Sequence, residues 1–540
     1  PDSSVLGDGQ ENKYTTPSPV TGGLFLTDEA TKPVATNTWH NNAAWTNNGE
    51  PHGGASPIIS LPYNAETTEG GLTVTAPSDW EVNPPGSGTQ ATREFAKMDD
   101  LFSPGVRIGN TAASSYADSR ADDWGDFHTS ITWGENTAAE MTTTLVKGSP
   151  FIFAEYGGGG AEITLTNHNG SASTDANVDV WADRGNVLGV SVSGITRNEY
   201  THHYALFAPA DATWNGVGTN QLSSQLGSGD YLTIASLPEQ STAMLERFEQ
   251  YAYNVVRDTY ADYDYVQTDA NGQPVSEVRT TFDYTTENKA ESATSGTLSC
   301  LFPHQWKHSN DPVTGLEYWS PRGTLKLHEG RSFQTTLKYP GILPFMPDEG
   351  TYDSNQLASY IDSQESDDLW QEGVGTSTNT YFAGKDFDHH LRTVPLSQQV
   401  GDTAARDRSL DALRTRIGGW LTIQDTSYGT AEEEEVFHYD STFGTMIGYN
   451  DGFGSAGNMN DHHFHYGYFV RSAAEIARHD DQWVDDYGDM VEILVRDFAN
   501  WERPNRSALS ETKPADSVKD AFPRFRNFDV YSGHSWAGGF

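Results

Sequence analysis

The chain has 540 residues, too many for one hydrophobic core, so roughly two to four domains are expected. Its 75 acidic residues against 33 basic ones leave a formal charge of −42, which excludes nucleic acid and anionic membrane surfaces as partners. Hydrophobic residues at 36% and aromatics at 12% suffice for packed cores, and a single cysteine, Cys300, excludes an intrachain disulfide.

The acidic residues are spread along the chain, with the Glu432 to Glu435 run a local exception, and lysine is scarce beside arginine. Such a surface stays soluble where salt screens its self-repulsion, so a halophilic, secreted protein in a high-salt medium is expected. The polar opening PDSSVLGDGQENKYTTPSP reads as a mature or trimmed start, with neither a signal peptide nor an apolar span of about 20 residues. A monomer is expected.

From the N-terminus onward the pattern is β. GGLTVTAP, TSITWG, MTTTLVKGSPFIFAEY, AEITLTNH, NVDVWAD, NVLGVSVSG, HHYALFAP and YLTIASL are short, rich in Thr, Val, Ile and aromatics, and separated by Gly/Asn/Asp turns. Many short strands with close turns predict an antiparallel β-sandwich over residues 1–240. The run STAMLERFEQYAYNVVRDT predicts a helix over 240–258. It opens a small α/β linking region, 241–348, whose strands are VRTTFDYTTE, GTLSCLFPHQW and RSFQTTLKYP, and Pro344 and Pro347 mark its end.

Over 349–540 the period changes to 3.6. Leu410, Leu413, Ile417, Trp420 and Leu421 share one helical face, as do Val484, Tyr487, Met490, Val491, Leu494, Val495 and Phe498. A helical domain is expected there. HYDSTFGTMIGYNDGFG, with Tyr439, Asp440, Tyr449 and Asp451, and RNFDVYSGHSWAGGF, with Asp529, His534 and Trp536, read as glycine-flanked loops.

The stretch NDHHFHYGYF sets three histidines and Asp461 among aromatics, just before the helical pattern FVRSAAEIARH. With Asn460 near the N-cap, Asp461 and His465 stand at i and i+4 on one face, while His462 and His463 point elsewhere. That spread argues against a metal site. A structural reading, polar residues tying helices together, stays open beside an acid/base or sugar-binding site, for which carboxylates among aromatics are suited. The GGGG at 157–160 lacks a following Lys-Ser/Thr and reads as a turn, and there is no GxSxG. No cofactor is expected.

YNDGFG, NDHHFHYGYF, LVRDFAN and RNFDVYSGHSWAGG together resemble the catalytic half of glycoside hydrolase family 81, endo-β-1,3-glucanases acting on laminarin-like glucans. NTWHNNAAW, LPYN, KGSPFIFAEY, GTLSCLFPHQW and YFAGKDFDHHLRTVPLSQQVGD extend the resemblance over nearly the whole chain. It implies a β-sandwich, a small α/β region, and an (α/α)6 barrel that cleaves β-1,3-glucan with inversion. Asp461 matches the family's general acid and His465 the histidine beside it; Tyr439, Asp440, His463, His534 and Trp536 are expected to contact substrate. The family's general base is a glutamate shortly after GHSWA, so here it is expected beyond Phe540, with the barrel truncated. The alternative is a non-catalytic β-glucan-binding relative. At a helix N-terminus the macrodipole favours an ionised Asp461, so burial among Phe464, Tyr466 and neighbours must raise its pKa if it is to act as an acid.

Overall fold

Alternating residues between Ile58 and Leu237 fold into two antiparallel sheets. The computed structural model describes residues 25–27, 33–35, 43, 58–77, 81–83, 95–97, 102–166, 177–193, 201–227, 229–290, 294–341, 351–366, 379–422, 435–440, 443–449, 452–453, 455–456, 459, 461–502 and 518–535. One sheet has seven strands in the order Ile58–Ile59, Asn64–Thr68, Gly71–Pro77, Phe102–Asn110, Gly160–Thr166, Gln221–Gln225, Trp214–Asn215. The other has eight: Asn177–Asp183, Val187–Ser193, Thr201–Phe207, Asp230–Leu237, Phe151–Tyr156, Met141–Val146, His128–Trp133, Ser119–Trp124. Val74, Ile108 and Ile163 from the first meet Ile131, Ile152 and Ile234 from the second in one continuous core. Each such side chain contributes ~1.5–3 kcal/mol on full burial. The expected β segments all become strands, with Ile152 opposite Ile234 and Leu145 opposite Ile152 fixing the register at the centre.

The outer face of the eight-stranded sheet packs a second core. Phe151, Phe153 and Phe207 lie against Met244, Leu245 and Phe248 of α1 (Thr242–Ala252), which is N-capped by Ser241. The helix is shorter than its sequence pattern. Asn254–Thr268 is a strand, paired over its length with Pro274–Asn288, and Ser332–Lys338 adds a third. Val255 and Val256 and the Tyr/Asp alternation over 260–265 suit a pleat better than a helix. Thr297–Leu301, Leu325–Gly330 and Glu317–Tyr318 make a further small sheet on the same core.

Beyond residue 350 come α2 (Ser354–Ser366), α3 (Thr380–Val400), α4 (Thr403–Trp420), α5 (His462–Ala477) and α6 (Asp481–Ala499). Leu410, Leu413, Ile417 and Trp420 of α4 pack with Phe387 of α3, Phe469 of α5 and Leu494 of α6 in a third core. Val484 departs from expectation: it is exposed at 37%, and Trp483 is buried instead, its ring 5.1 Å from that of Tyr487. The supposed loop around Asp440 is a β-hairpin, Val436–Asp440 with Thr445–Tyr449. Its Phe437 and Met446 enter the third core, and that burial holds the two strands together. No described helix is long and apolar enough to cross a membrane.

Candidate active site

The head of α5 differs from the sequence reading by one residue, and the difference redirects the Asp461 side chain. Asp461 is itself the N-cap, in left-handed conformation (φ 58°, ψ 15°), and its side chain accepts no hydrogen bond from the helix. Its carbonyl does the capping work, accepting from the Phe464 and His465 N–H groups at 2.9 and 2.8 Å. The carboxyl is therefore off the helical screw. The groups acting on it are His463 and His462, not His465 as i,i+4 spacing implied. Half-burial raises its pKa, with the two histidines pulling the other way. Burial thus opposes the macrodipole and lifts the Asp461 carboxyl above its ordinary range.

The three histidines diverge. His465 Nδ1 pairs with Thr380 Oγ1 at 2.9 Å at the start of α3, and burial pushes its pKa down to about 4, so the ring is neutral at ordinary pH. His462 is fully buried between Asp497 Oδ2 (2.5 Å from Nδ1) and the Ser455 carbonyl (2.8 Å from Nε2). His463 leans on Asn527, and burial lowers its pKa as well. Among the described residues no group of three or more His, Cys, Asp or Glu side chains converges as a metal requires.

Beneath Asp461 lies a buried ionic hub. Asp497 of α6 accepts from Met446 N–H at 2.8 Å and Thr445 Oγ1 at 3.0 Å, besides facing His462. Burial opposes its charge, but Arg526 and His462 hold the carboxyl below its ordinary range. Arg526 is wholly buried: Nε donates to the Asp497 carbonyl (2.9 Å), Nη1 to Val34 O (2.9 Å) and Nη2 to Gly444 O (2.5 Å). One guanidinium thus joins α6, the hairpin turn and a segment from near the N-terminus.

Tyr381, Phe453 and Phe464 pack around His465, with Tyr381 4.8 Å from Phe453 and 5.8 Å from Phe464, and Phe382 lies against Tyr381 and Phe453. Phe382, Phe453 and Phe464 are exposed. Non-glycine left-handed residues concentrate at this end of the helical region: Phe453, Met459, Asp461 and Phe525. Each costs ~1–3 kcal/mol and persists only where surrounding structure enforces it, as at ligand sites.

Other sequence-selected residues have partners of their own. The Tyr439 hydroxyl donates to Ala521 O at 2.7 Å, and its ring meets Phe522 edge-on. Asp440 is buried at the hairpin turn, where its Oδ1 accepts from Phe443 N–H at 3.3 Å. His534 pairs with Asp529 across a two-residue bridge and feels the charges of Arg322, Asp529 and Lys147. Trp536, Asn460 and Asp451 fall outside the described residues. Sequence reading did not single out Thr380, Arg526 or Asn527, although RNF opens the quoted stretch RNFDVYSGHSWAGGF and Thr380 directly precedes YFAGKDF.

Residues 352–540 match the family model "Glycosyl hydrolase family 81 C-terminal domain". The chain is 32% identical to a glucan endo-1,3-beta-D-glucosidase of Acetivibrio thermocellus over 96% of its own length and 59% of the relative's. It is 32% identical to another of Thermobifida fusca, over 95% and 60%. It thus spans about three fifths of the length of these curated relatives. A solved structure, a mutant glycoside hydrolase family 81 protein from Clostridium thermocellum, superposes with a TM-score of 0.77 at 31% identity, covering 96% of this chain and 65% of that one. Its sheets followed by helices match the architecture described above. Family model, curated relatives and solved structure thus agree that what this chain is similar to belongs to glycosyl hydrolase family 81 or bears the name glucan endo-1,3-beta-D-glucosidase.

Proposed function

We propose that this chain carries the acid half of an endo-β-1,3-glucanase that hydrolyses laminarin-like glucans with inversion. The observation that carries the reading is the Asp461 carboxyl. It is uncapped, half-buried and raised in pKa at a strained helix head beside an exposed aromatic cluster. Neutral glucan meets no repulsion from a polyanion, and its C–H faces stack on rings such as Phe453 and Phe464 while hydroxyls take polar partners.

In this reading Asp461 protonates the leaving glycosidic oxygen while a carboxylate on the opposite face of the sugar takes a proton from water. Inverting enzymes hold such a pair roughly 6.5–9.5 Å apart. The base is the glutamate that the family resemblance puts after GHSWA. Asp497 and Asp529 are poor candidates, because each is buried and committed to a cation, Arg526 and Lys147 respectively. His465, neutral and held by Thr380, supports the aromatic cluster and offers a hydroxyl contact. We place residues 1–240 as the sandwich, 241–348 as the linking region, and α2 to α6 as part of an (α/α)6 barrel. The test is Asp461→Asn: glucan binding is expected within about threefold of the parent, while reducing-end release falls at least ~1000-fold. Retained turnover contradicts the assignment.

A further inference from the structure

The three-stranded sheet of the linking region covers only part of its apolar face. Ala261, Phe282 and Phe333 stand side by side across it and enter the second core. Side chains alternate along a strand, so the same face next carries Tyr263, Thr280 and Thr335, and then Tyr265, Val278 and Leu337. Tyr339 follows, its ring 5.8 Å from that of Tyr265 and edge-on to it. Tyr263, Tyr265, Leu337 and Tyr339 are 44%, 48%, 38% and 39% exposed. The apolar face therefore runs out of the core into solvent, while Asp262, Asp264 and Arg279 keep to the other side of the sheet.

None of the side chains on this outer stretch is charged, in a chain of net charge −42, so its ligand is neutral. Taking ~150–250 Å² for a whole aromatic side chain, the exposed parts offer roughly 300 Å². A stable dimer takes about 800 Å² from each partner, so a second copy fits the face poorly. Tyrosines are rigid, amphipathic surfaces that lose little entropy on contact, and Thr280 and Thr335 set hydroxyls among them. A sugar chain, apolar on its C–H faces and polar at its edges, matches that mixture. The face also leads toward the acid. The Arg524 guanidinium stands 5.8 Å from the Tyr263 ring and 4.9 Å from that of Phe525. Next along the chain, Arg526 Nη1 lies 3.8 Å from Sδ of Met459, two residues before Asp461.

We propose that Tyr263, Tyr265 and Tyr339 form a second glucan-binding surface, outside the catalytic centre, on which a polymeric β-1,3-glucan stacks its sugar rings. This rests on the glucanase reading above, but concerns the linking region, which supplies none of the residues expected to contact substrate around the acid. A polymer held at two places gains affinity with no tighter contact at the acid, because the second contact becomes intramolecular.

The experiment measures depletion of the protein by insoluble linear β-1,3-glucan in high salt, with Asp461→Asn as the parent so that the polymer stays intact. Adding Tyr265→Ala with Tyr339→Ala is expected to weaken binding at least ~10-fold. Tyr265→Phe with Tyr339→Phe keeps the rings and is expected to stay within about twofold of the parent. Both should melt near the parent's Tm, because the rings are exposed and touch chiefly each other. Unaltered affinity in the alanine pair overturns the inference, as does equal weakening in the phenylalanine pair. A fall in Tm of several degrees in the alanine pair and in Tyr265→Ala alone overturns it too, since the rings then serve the fold. So does a parent that sediments as a dimer and an alanine pair that does not, the face then joining two copies. Each of these leaves the glucanase reading standing. A parent that binds no glucan overturns both.

Discussion

A left-handed backbone at Asp461 frees its carboxyl from the helix cap, so the macrodipole acts on it without the hydrogen bond that would fix its charge. The raised pKa has a direct kinetic consequence: turnover should fall as pH rises through that value, because the acid must be protonated to act. A rate profile flat on its alkaline side would contradict the assignment. His465 gives the opposite sign. Its folded pKa of about 4 lies below the ordinary 6.5, so the folded form binds fewer protons than the unfolded form in between. The stability this contributes is present above pH ~6.5 and lost as pH falls toward about 4. His465→Gln is expected to flatten that acid limb in a Tm-versus-pH series; an unchanged slope would remove His465 from the account. At this scale the sequence was legible as chemistry but not as geometry. The aspartate and the histidines were plain in NDHHFHYGYF, but a one-residue shift of the helix start changed which of them face one another.

The element that organises the site is the segment around Arg526 to Tyr531, which has little secondary structure of its own. Arg526 clasps α6, the hairpin turn and Val34. Asp529 meets Lys147 at 3.0 Å, and Tyr531 enters the second core, its hydroxyl donating to Cys300 O at 3.0 Å. The motif therefore ties the helical region to the β region. Arg526→Met is expected to cost about 3–5 kcal/mol, because the Asp497 carboxylate and three carbonyls are left buried without their cation. A loss under 1 kcal/mol in denaturant unfolding would show that the hub is dispensable. None of this was legible, because long-range clasping by one arginine leaves no periodicity. Strands were legible where they alternate, as in YLTIASL. Phe102–Asn110 escaped because Pro104 and Gly105 read as breakers, although a Cβ at Gly105 would lie 2.3 Å from the Val74 carbonyl of the neighbouring strand. Edge strand Ser119–Trp124 escaped because its charged residues suit a sheet edge rather than a core.

Over the whole molecule a charge of −42 opposes compaction. We propose that the chain relies on salt: at about 1 M the Debye length falls to roughly 3 Å, silencing repulsion between surface carboxylates while buried pairs such as Asp497–Arg526 persist. Tm should rise by several degrees between low and molar KCl, and a flat response would remove the high-salt reading without touching the catalytic one. Composition made the charge balance legible at once, and the change from period 2 to period 3.6 located the helical region. How the third core joins the sheets was hidden in single side chains. The most direct test of the central claim is proton NMR of this chain with a linear β-1,3-glucan in high salt, following the anomeric signals in the first minutes. An inverting glucanase predicts that the α-anomer of the new reducing end appears first and then mutarotates. A first-formed β-anomer would contradict inversion, and no new anomeric signal would contradict hydrolysis by this chain.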